Sequence, residues 1–309
     1  MADAPVTAFL FPGQGAQAVG MGAAAHAGSP AARAVFEEAD AVLGFPLSRL
    51  LLEGPADELV RSHNAQPAIL VVSLALLRAA QERLGPAFPA ASAYAGHSLG
   101  EYTALVAAGA MDLATGVRLV RTRGELMQAA CEATPSRMVA LLGLGLEAAR
   151  AACEGTGAQV ANANSAEQTV IGGPVSAVEA AVERALAAGA RRAIPLEVAG
   201  AFHTEVMRPA QDAMAPVLAA ARFAAPASPL IANTSAQAIS DEADIRAELT
   251  GQLCGPVLWQ QGMERMVALG VTRFVEFGPG KVLTGLVRRI VPDAAGVAVP
   301  DLDSIGALG

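Results

Sequence analysis

Residues Gly96–His97–Ser98–Leu99–Gly100 decide the reading of this chain. They fit the pattern Gly-x-Ser-x-Gly, and their surroundings give the pattern meaning. Residues 90–95 before them have the length and character of a short strand, and residues 101–110 after them have those of a helix. A strand that becomes a helix within five residues must turn sharply. Such a turn leaves no room for side chains two positions from its apex, which the two glycines satisfy. The serine at the apex would stand at a helix N-terminus, where free N–H groups can stabilise an oxyanion. The plainer alternative is a glycine-rich turn around an ordinary serine.

The same alternation extends in both directions. Residues 6–11 read as a buried strand broken by Pro12–Gly13, and residues 33–43, 67–84 and 113–130 have helical spacing. From Met138 the pattern changes. Residues 138–144 are strand-like, 147–153 helical, 159–162 and 169–171 two strands about a polar turn, 176–188 helical and 192–196 a strand. That order, β-α-β-β-α-β, is the order of a ferredoxin-like unit. It is expected as an insertion spanning residues 132–198, within a core made of residues 1–131 and 199–309. The core pattern then resumes with a strand at 230–233, helices at 244–253 and 257–269, a strand at 273–277 and a helix from Val282. Strands alternating with helices imply an α/β fold with a mainly parallel sheet covered on both faces.

Composition narrows the function classes. The 309 residues are 53% hydrophobic and 16% charged, enough for a large buried core. A net charge of −8 argues against a nucleic-acid partner, because phosphate binding needs a basic surface. The longest apolar run, residues 67–77, is too short to span a bilayer. Met1–Ala2–Asp3 lacks the start of a signal peptide, so no membrane association and a cytoplasmic location are expected. Cys131, Cys153 and Cys254 are far apart, without a Cys-x-x-Cys or His-rich spacing; reduced thiols and no metal are expected.

A serine nucleophile needs a base. Of the four histidines, His97 adjoins Ser98 where side chains diverge, His26 lies in an Ala/Gly-rich stretch and His63 in a polar segment. His203, in Gly200–Ala201–Phe202–His203–Thr204, remains by elimination, with a structural histidine as the alternative. The usual third member, an acid between serine and histidine in chain order, is hard to find. Asp112, at the end of the elbow helix, is the only aspartate there. A Ser–His dyad is therefore expected, with a backbone carbonyl holding the imidazole tautomer. Arg123 falls on the apolar face of its helix, beside Leu119, Val120, Leu126 and Met127, and a buried guanidinium must be paired. Its partner is either a protein carboxylate or a substrate carboxylate gripped bidentately. Two matches to Gly-x-Gly-x-x-Ala, at 13–18 and 143–148, lack the acidic strand end and P-loop lysine of nucleotide sites.

Together these segments resemble the malonyl-CoA:acyl carrier protein transacylases and the related acyltransferase domains of polyketide synthases. The matching motifs include Phe11–Pro–Gly–Gln–Gly–Ala–Gln17, Gln66–Pro67–Ala68, the Gly96–Tyr102 segment, Arg123–Gly124, Asn162–Ala–Asn–Ser165, Ala201–Phe–His203, Gln252 and Glu276–Phe–Gly–Pro–Gly–Lys–Val–Leu283, in family order. The resemblance implies an α/β-hydrolase-like core with a ferredoxin-like subdomain. It implies that Ser98 takes a malonyl group from coenzyme A and that His203 is base, then acid. The backbone N–H groups of Gln14 and Leu99 would form the oxyanion hole. Arg123 would bind the malonyl carboxylate, with Gln66, Phe202 and Asn162 also at the substrate. The backbone carbonyl of Gln252 would orient His203. No cofactor is implied beyond the phosphopantetheine of an acyl carrier protein, the partner; the sequence leaves the oligomeric state open, with a monomer expected. Phe202 departs from fatty-acid members with serine there and resembles malonyl-selective polyketide and actinobacterial enzymes, which leaves the pathway open. A serine acyl-thioester hydrolase, or a polyketide acyltransferase of another extender-unit specificity, is the competing reading.

Overall fold

Both faces of the central strand are buried, and that fixes the architecture. In the computed structural model, which describes residues 5–308, β1 (Thr7–Phe11) is buried along its whole length. Successive strand residues point to opposite faces. Phe9 and Phe11 enter one hydrophobic core, with Phe277 and Tyr94. Ala8 and Leu10 enter a second, with Ala93, Ala95 and Phe274. A strand covered on both sides reads as a continuous apolar run, which is the signature of a buried parallel sheet.

The remaining strands among the described residues are β2 (Ala91–Gly96), β3 (Ser136–Leu142), β4 (Gln159–Ser165), β5 (Gln168–Pro174), β6 (Arg192–Pro195), β7 (Leu230–Ile231), β8 (Ala238–Ile239), β9 (Arg273–Phe277) and β10 (Ala295–Val299). The larger sheet runs β10-β9-β1-β2-β7-β8; all neighbours are parallel except the β7–β8 hairpin at its edge. The fold is thus α/β with a mixed sheet. The smaller sheet, β4-β5-β3-β6, is antiparallel throughout.

Four helices build the site side of the large sheet: α1 (Pro30–Leu43), α2 (Ser62–Leu84), α3 (Gly100–Ala107) and α4 (Leu113–Ala133). The caps are readable. Ser29 accepts from Ala32 N with Pro30 following it, and Asp112 Oδ1 accepts from Thr115 N at 2.7 Å. α2 starts five residues earlier than its apolar run suggests and carries Pro67 inside it. Proline cannot donate to the carbonyl of His63, four residues back. That carbonyl accepts instead from Arg121 Nη1 of α4, at 3.1 Å. α2 and α4 also cross closely at Gly124, where a Cβ would lie 2.6 Å from the His63 Cα and from the Ser62 carbonyl oxygen.

α5 (Leu146–Cys153) and α6 (Val175–Ala187) cover one face of the small sheet around Val139, Leu141, Ile171 and Val178. The small sheet is tied to the body by β4: Val257 N donates to Ala161 O and Ala163 N to Val257 O, each at 2.8 Å. The chain then continues through α7 (Arg208–Ala220), α8 (Glu242–Gly251), α9 (Trp259–Ala268) and α10 (Val282–Ile290).

Three sequence readings change. Residue 132, expected to open the insertion, lies in the last turn of α4, and the small sheet itself begins at Ser136. The strand expected at 230–233 stops at Ile231, because Asn233 turns its side chain back toward the elbow. The Ala/Gly-rich edge strand β10 had no readable pattern, whereas α7 runs unbroken with Pro216 inside it. Among the described residues no helix is long and apolar enough to cross a membrane.

The Gly124 crossing makes a measurable contrast. Gly124→Ala should cost about 1–3 kcal/mol of unfolding free energy, as overpacking against backbone does. Gly285→Ala, in α10 with nothing within 4 Å of its Cβ, should instead gain about 0.5–1 kcal/mol. Urea midpoints of the two variants against the parent check the signs.

Candidate active site

The turn at Ser98 is as tight as its glycines suggest. A Cβ on Gly96 would fall 1.8 Å from the Gly100 carbonyl carbon, and one on Gly100 would fall 2.1 Å from the Phe11 carbonyl oxygen. Ser98 itself sits at φ 53°, a left-handed conformation that costs a non-glycine residue about 1–2 kcal/mol. Neighbouring hydrogen bonds over-determine it. His97 N donates to Phe11 O (3.0 Å), Ser98 N to Asn233 Oδ1 (2.7 Å), and Asn233 Nδ2 to Gly96 O (2.8 Å).

Ser98 Oγ lies 2.7 Å from His203 Nε2. His203 is also left-handed, at φ 59°, and only 3% exposed. Its Nδ1 lies 2.8 Å from Gln252 O and 3.2 Å from Gly255 O. Both partners are carbonyls, which can only accept, so the proton is on Nδ1 and the Nε2 lone pair faces the serine. Burial lowers the pKa of His203 to about 3, with the charge of Arg123 as the second cause. Asp112 is exposed and occupied in capping α4.

Arg123 is 1% exposed, and its contacts resolve the question left by its position. Nη1 donates to Gln66 Oε1 (2.7 Å); Nη2 donates to Gln252 Oε1 (2.9 Å) and to Ser98 Oγ (3.1 Å). None of the ion pairs among the described residues includes it. The protein-carboxylate partner is therefore not there: the guanidinium is held by neutral groups. An acid stands one step behind. Gln252 Nε2 donates to Glu101 Oε2 at 2.5 Å, while Glu101 Oε1 accepts from Asn233 N and Nδ2, each at 2.9 Å. Burial, then the nearby Glu248, pushes the Glu101 carboxyl well above its usual range.

A cavity of about 120 Å³ opens on Ser98 and His203. Gln14, Leu99, Arg123, Asn162 and Phe202 all line it, together with Met127, Met138, Leu196 and Val198. It adjoins a second cavity of about 280 Å³ that shares Gln14, His97, Asn162 and Leu196. Among the described residues neither the Gln14 nor the Leu99 backbone N–H has a partner. Asn162 Oδ1 is buried without one too. The structure thus brings every expected residue to one place, Gln66 and Gln252 through Arg123.

Sequence reasoning missed Glu101 and Asn233, which hold the elbow, and Asn164, whose Oδ1 lies 3.0 Å from His97 Nε2. Glu101 could have been found as Arg123 was, as a charge just after Gly100 where the helix must be buried. Asn233 gave no signal. Of the other histidines, His97 packs its ring on Trp259 and His26 on Phe36. Burial raises the pKa of Cys131 to about 12 and of Cys153 and Cys254 to about 11, so thiolates are scarce. Among the described residues no group of three His, Cys, Asp or Glu side chains could hold a metal.

A strained serine against a neutral, carbonyl-held histidine, at the C-terminal end of β2 in a parallel α/β sheet, is an arrangement able to support nucleophilic catalysis. Comparison with known proteins narrows this. The acyl transferase domain family matches residues 8–306, and the chain belongs to that family. It is 45% identical over 304 residues to the malonyl CoA-acyl carrier protein transacylase of Bacillus subtilis, covering 96% of this chain and 94% of that one. An acyl carrier protein S-malonyltransferase from Vibrio cholerae superposes with a TM-score of 0.93 at 42% identity, covering 98% and 99% of the two chains. A malonyl-transacylase in complex with its type II polyketide-synthase acyl-carrier protein superposes with a TM-score of 0.93 at 40% identity, with 98% of each chain covered.

The buried neutral histidine has a consequence for stability. Unfolded histidine titrates near 6.5 and folded His203 near 3, so between these values the unfolded chain binds a proton that the folded chain refuses. Stability from this group is full above pH ~6.5 and is lost as pH falls, by up to about 1.4 kcal/mol per unit. His203→Gln should flatten that slope. By pH 5 the gap between parent and variant in unfolding free energy should have narrowed by about 2 kcal/mol relative to pH 7, as read from urea titrations.

Proposed function

We propose that this protein moves a malonyl group from coenzyme A to the phosphopantetheine thiol of an acyl carrier protein, in fatty-acid or polyketide synthesis. The observation that carries this reading is Arg123: a buried cation, held by neutral amides, 3.1 Å from the nucleophile oxygen. A carboxylate three carbons long, bound as a thioester, places its acyl carbon at Ser98 and its free acid at Arg123. The cavity of about 120 Å³ suits a short acyl group.

In this mechanism His203 Nε2 takes the Ser98 proton as Oγ attacks the thioester carbon. The developing oxyanion is met by the N–H groups of Gln14 and Leu99. The C–S bond breaks, the imidazolium protonates the departing thiolate, and malonyl-Ser98 remains. The carrier's thiol then repeats the sequence in reverse, giving its proton to His203. Gln252 serves twice, its carbonyl fixing the imidazole tautomer and its amide seating Arg123. Phe202 and Leu99 wall the acyl group, and Asn162 offers its unpaired oxygen to the pantetheine side. No cofactor takes part. A hydrolase reading would leave Arg123 without a purpose, since simple acyl chains have no second charge.

The fold supports the same reading. We assign residues 1–135 and 199–309 to an α/β-hydrolase-like core and residues 136–198 to a ferredoxin-like subdomain; the strand order β4-β5-β3-β6 is the order of that motif.

Malonyl-CoA should add one malonyl group to the protein by intact mass, and Ser98→Ala should remove it. Arg123→Ala should lower malonyl kcat/KM by about 10²–10⁴-fold, the cost of about 3–5 kcal/mol for breaking a buried charged pair, and should spare acetyl. Equal losses for both acyl groups would make Arg123 a structural residue. The carrier is taken to dock on Lys281, Arg288 and Arg289, all exposed at α10. Charge reversal there should raise KM for the carrier and spare hydrolysis of malonyl-CoA, and equal effects on both would reject the patch.

A further inference from the structure

Resting on the malonyl reading, we propose that Arg123 is also a latch on the nucleophile, which the substrate's own carboxylate releases. In the free site Ser98 Oγ donates to His203 Nε2 at 2.7 Å and accepts from Arg123 Nη2 at 3.1 Å. One of its two lone pairs is therefore engaged by a cation. The guanidinium itself is incompletely satisfied: Nη1 and Nη2 reach only neutral oxygens, and Nε is buried with no partner. A carboxylate satisfies a guanidinium far better than a hydroxyl does, through paired charge-assisted hydrogen bonds. An arriving malonyl carboxylate would draw Nη2 away from Oγ.

The same displacement changes the charge that His203 feels. The titratable groups packed about the pair are Arg123 on α4, His97 in the elbow, Glu101 and Tyr102 on α3 and Glu248 on α8. Burial holds His97 toward neutrality and lifts Glu101, Tyr102 and Glu248 toward their protonated forms. Arg123 is left as the charge that opposes an imidazolium at His203. As Oγ attacks, its proton must move to Nε2, the Oγ–C bond forms, the C–S bond breaks and the imidazolium returns the proton to the thiolate. A carboxylate on Arg123 compensates the positive charge during that transfer. An acetyl thioester brings none, so it meets a restrained serine and an opposed base. Rejection of acetyl then appears in the acylation rate as well as in binding.

Rapid-quench single turnovers after a pH jump, read by intact mass, test this with saturating malonyl-CoA and acetyl-CoA from pH 3 to 9. Saturating rates report the groups in the complex. The acid-side limb should lie about 1–3 pH units higher with malonyl than with acetyl, the displacement a neighbouring opposite charge produces. In Arg123→Gln, whose amide can bond to Gln66 and Gln252, the two limbs should converge and acetylation should become several-fold faster than in the parent. Coincident limbs in the parent, or acetylation unchanged or slowed in the variant, would overturn the latch while leaving malonyl transfer intact. No malonyl label on Ser98 at all would overturn the functional reading and the latch with it. The comparison of limbs in the parent stands even if the variant does not fold.

Discussion

A guanidinium without a counter-ion in the interior is the constraint around which the rest is arranged. Removing Arg123 from water is expensive, and the structure offsets the cost with dipoles instead of a carboxylate. Each dipole has to be delivered by a different element. Gln66 comes from α2, which reaches Arg123 because Gly124 lets the two helices meet and because Pro67 releases a carbonyl to Arg121. Gln252 comes from the end of α8, and its own amide is fixed by Ser98 O and Glu101. A direct Glu101–Arg123 pair would stabilise the free protein more simply. It would also occupy the cation that is proposed to meet the malonyl carboxylate.

Left-handed backbone marks both members of the serine–histidine pair. Ser98 and His203 both hold positive φ, the first pinned by the Asn233 side chain and the second by two backbone carbonyls. Asn233 closes the elbow from β7, and the Gln252 and Gly255 carbonyls hold the imidazole. Carbonyl orientation replaces the acid of a triad. It fixes the tautomer without adding a negative charge, in keeping with a histidine that burial holds neutral.

The elbow was legible because its requirements are local: two glycines, a strand before and a helix after. Arg123 was legible because helical spacing put a charge on an apolar face. The β-α-β-β-α-β order of the small sheet could be read from the change of period at Met138. What could not be read depends on long-range contact. Nothing near Asn233 marks it as the residue that closes a turn 135 positions away. The partner of Arg123 stayed open because spacing reports burial and says nothing about which side chains meet there. β10 is an edge strand of alanine, glycine and valine, too weak locally to stand out until β9 pairs with it.

The seam at Val257 separates two jobs that a single rigid body would have to perform together. Ser98, His203 and the carbonyls that hold them belong to the large-sheet side. Asn162 stands on β4, across a joint of two backbone hydrogen bonds. The two sides are also packed together, because Met138, Ala140, Ala161 and Val170 of the small sheet belong to the same hydrophobic cluster as Phe11 and Leu99. The cavity is therefore walled from two separately folded sheets, so its lining can be varied from β3 and β4 without touching the backbone that sets the 2.7 Å contact between serine and imidazole.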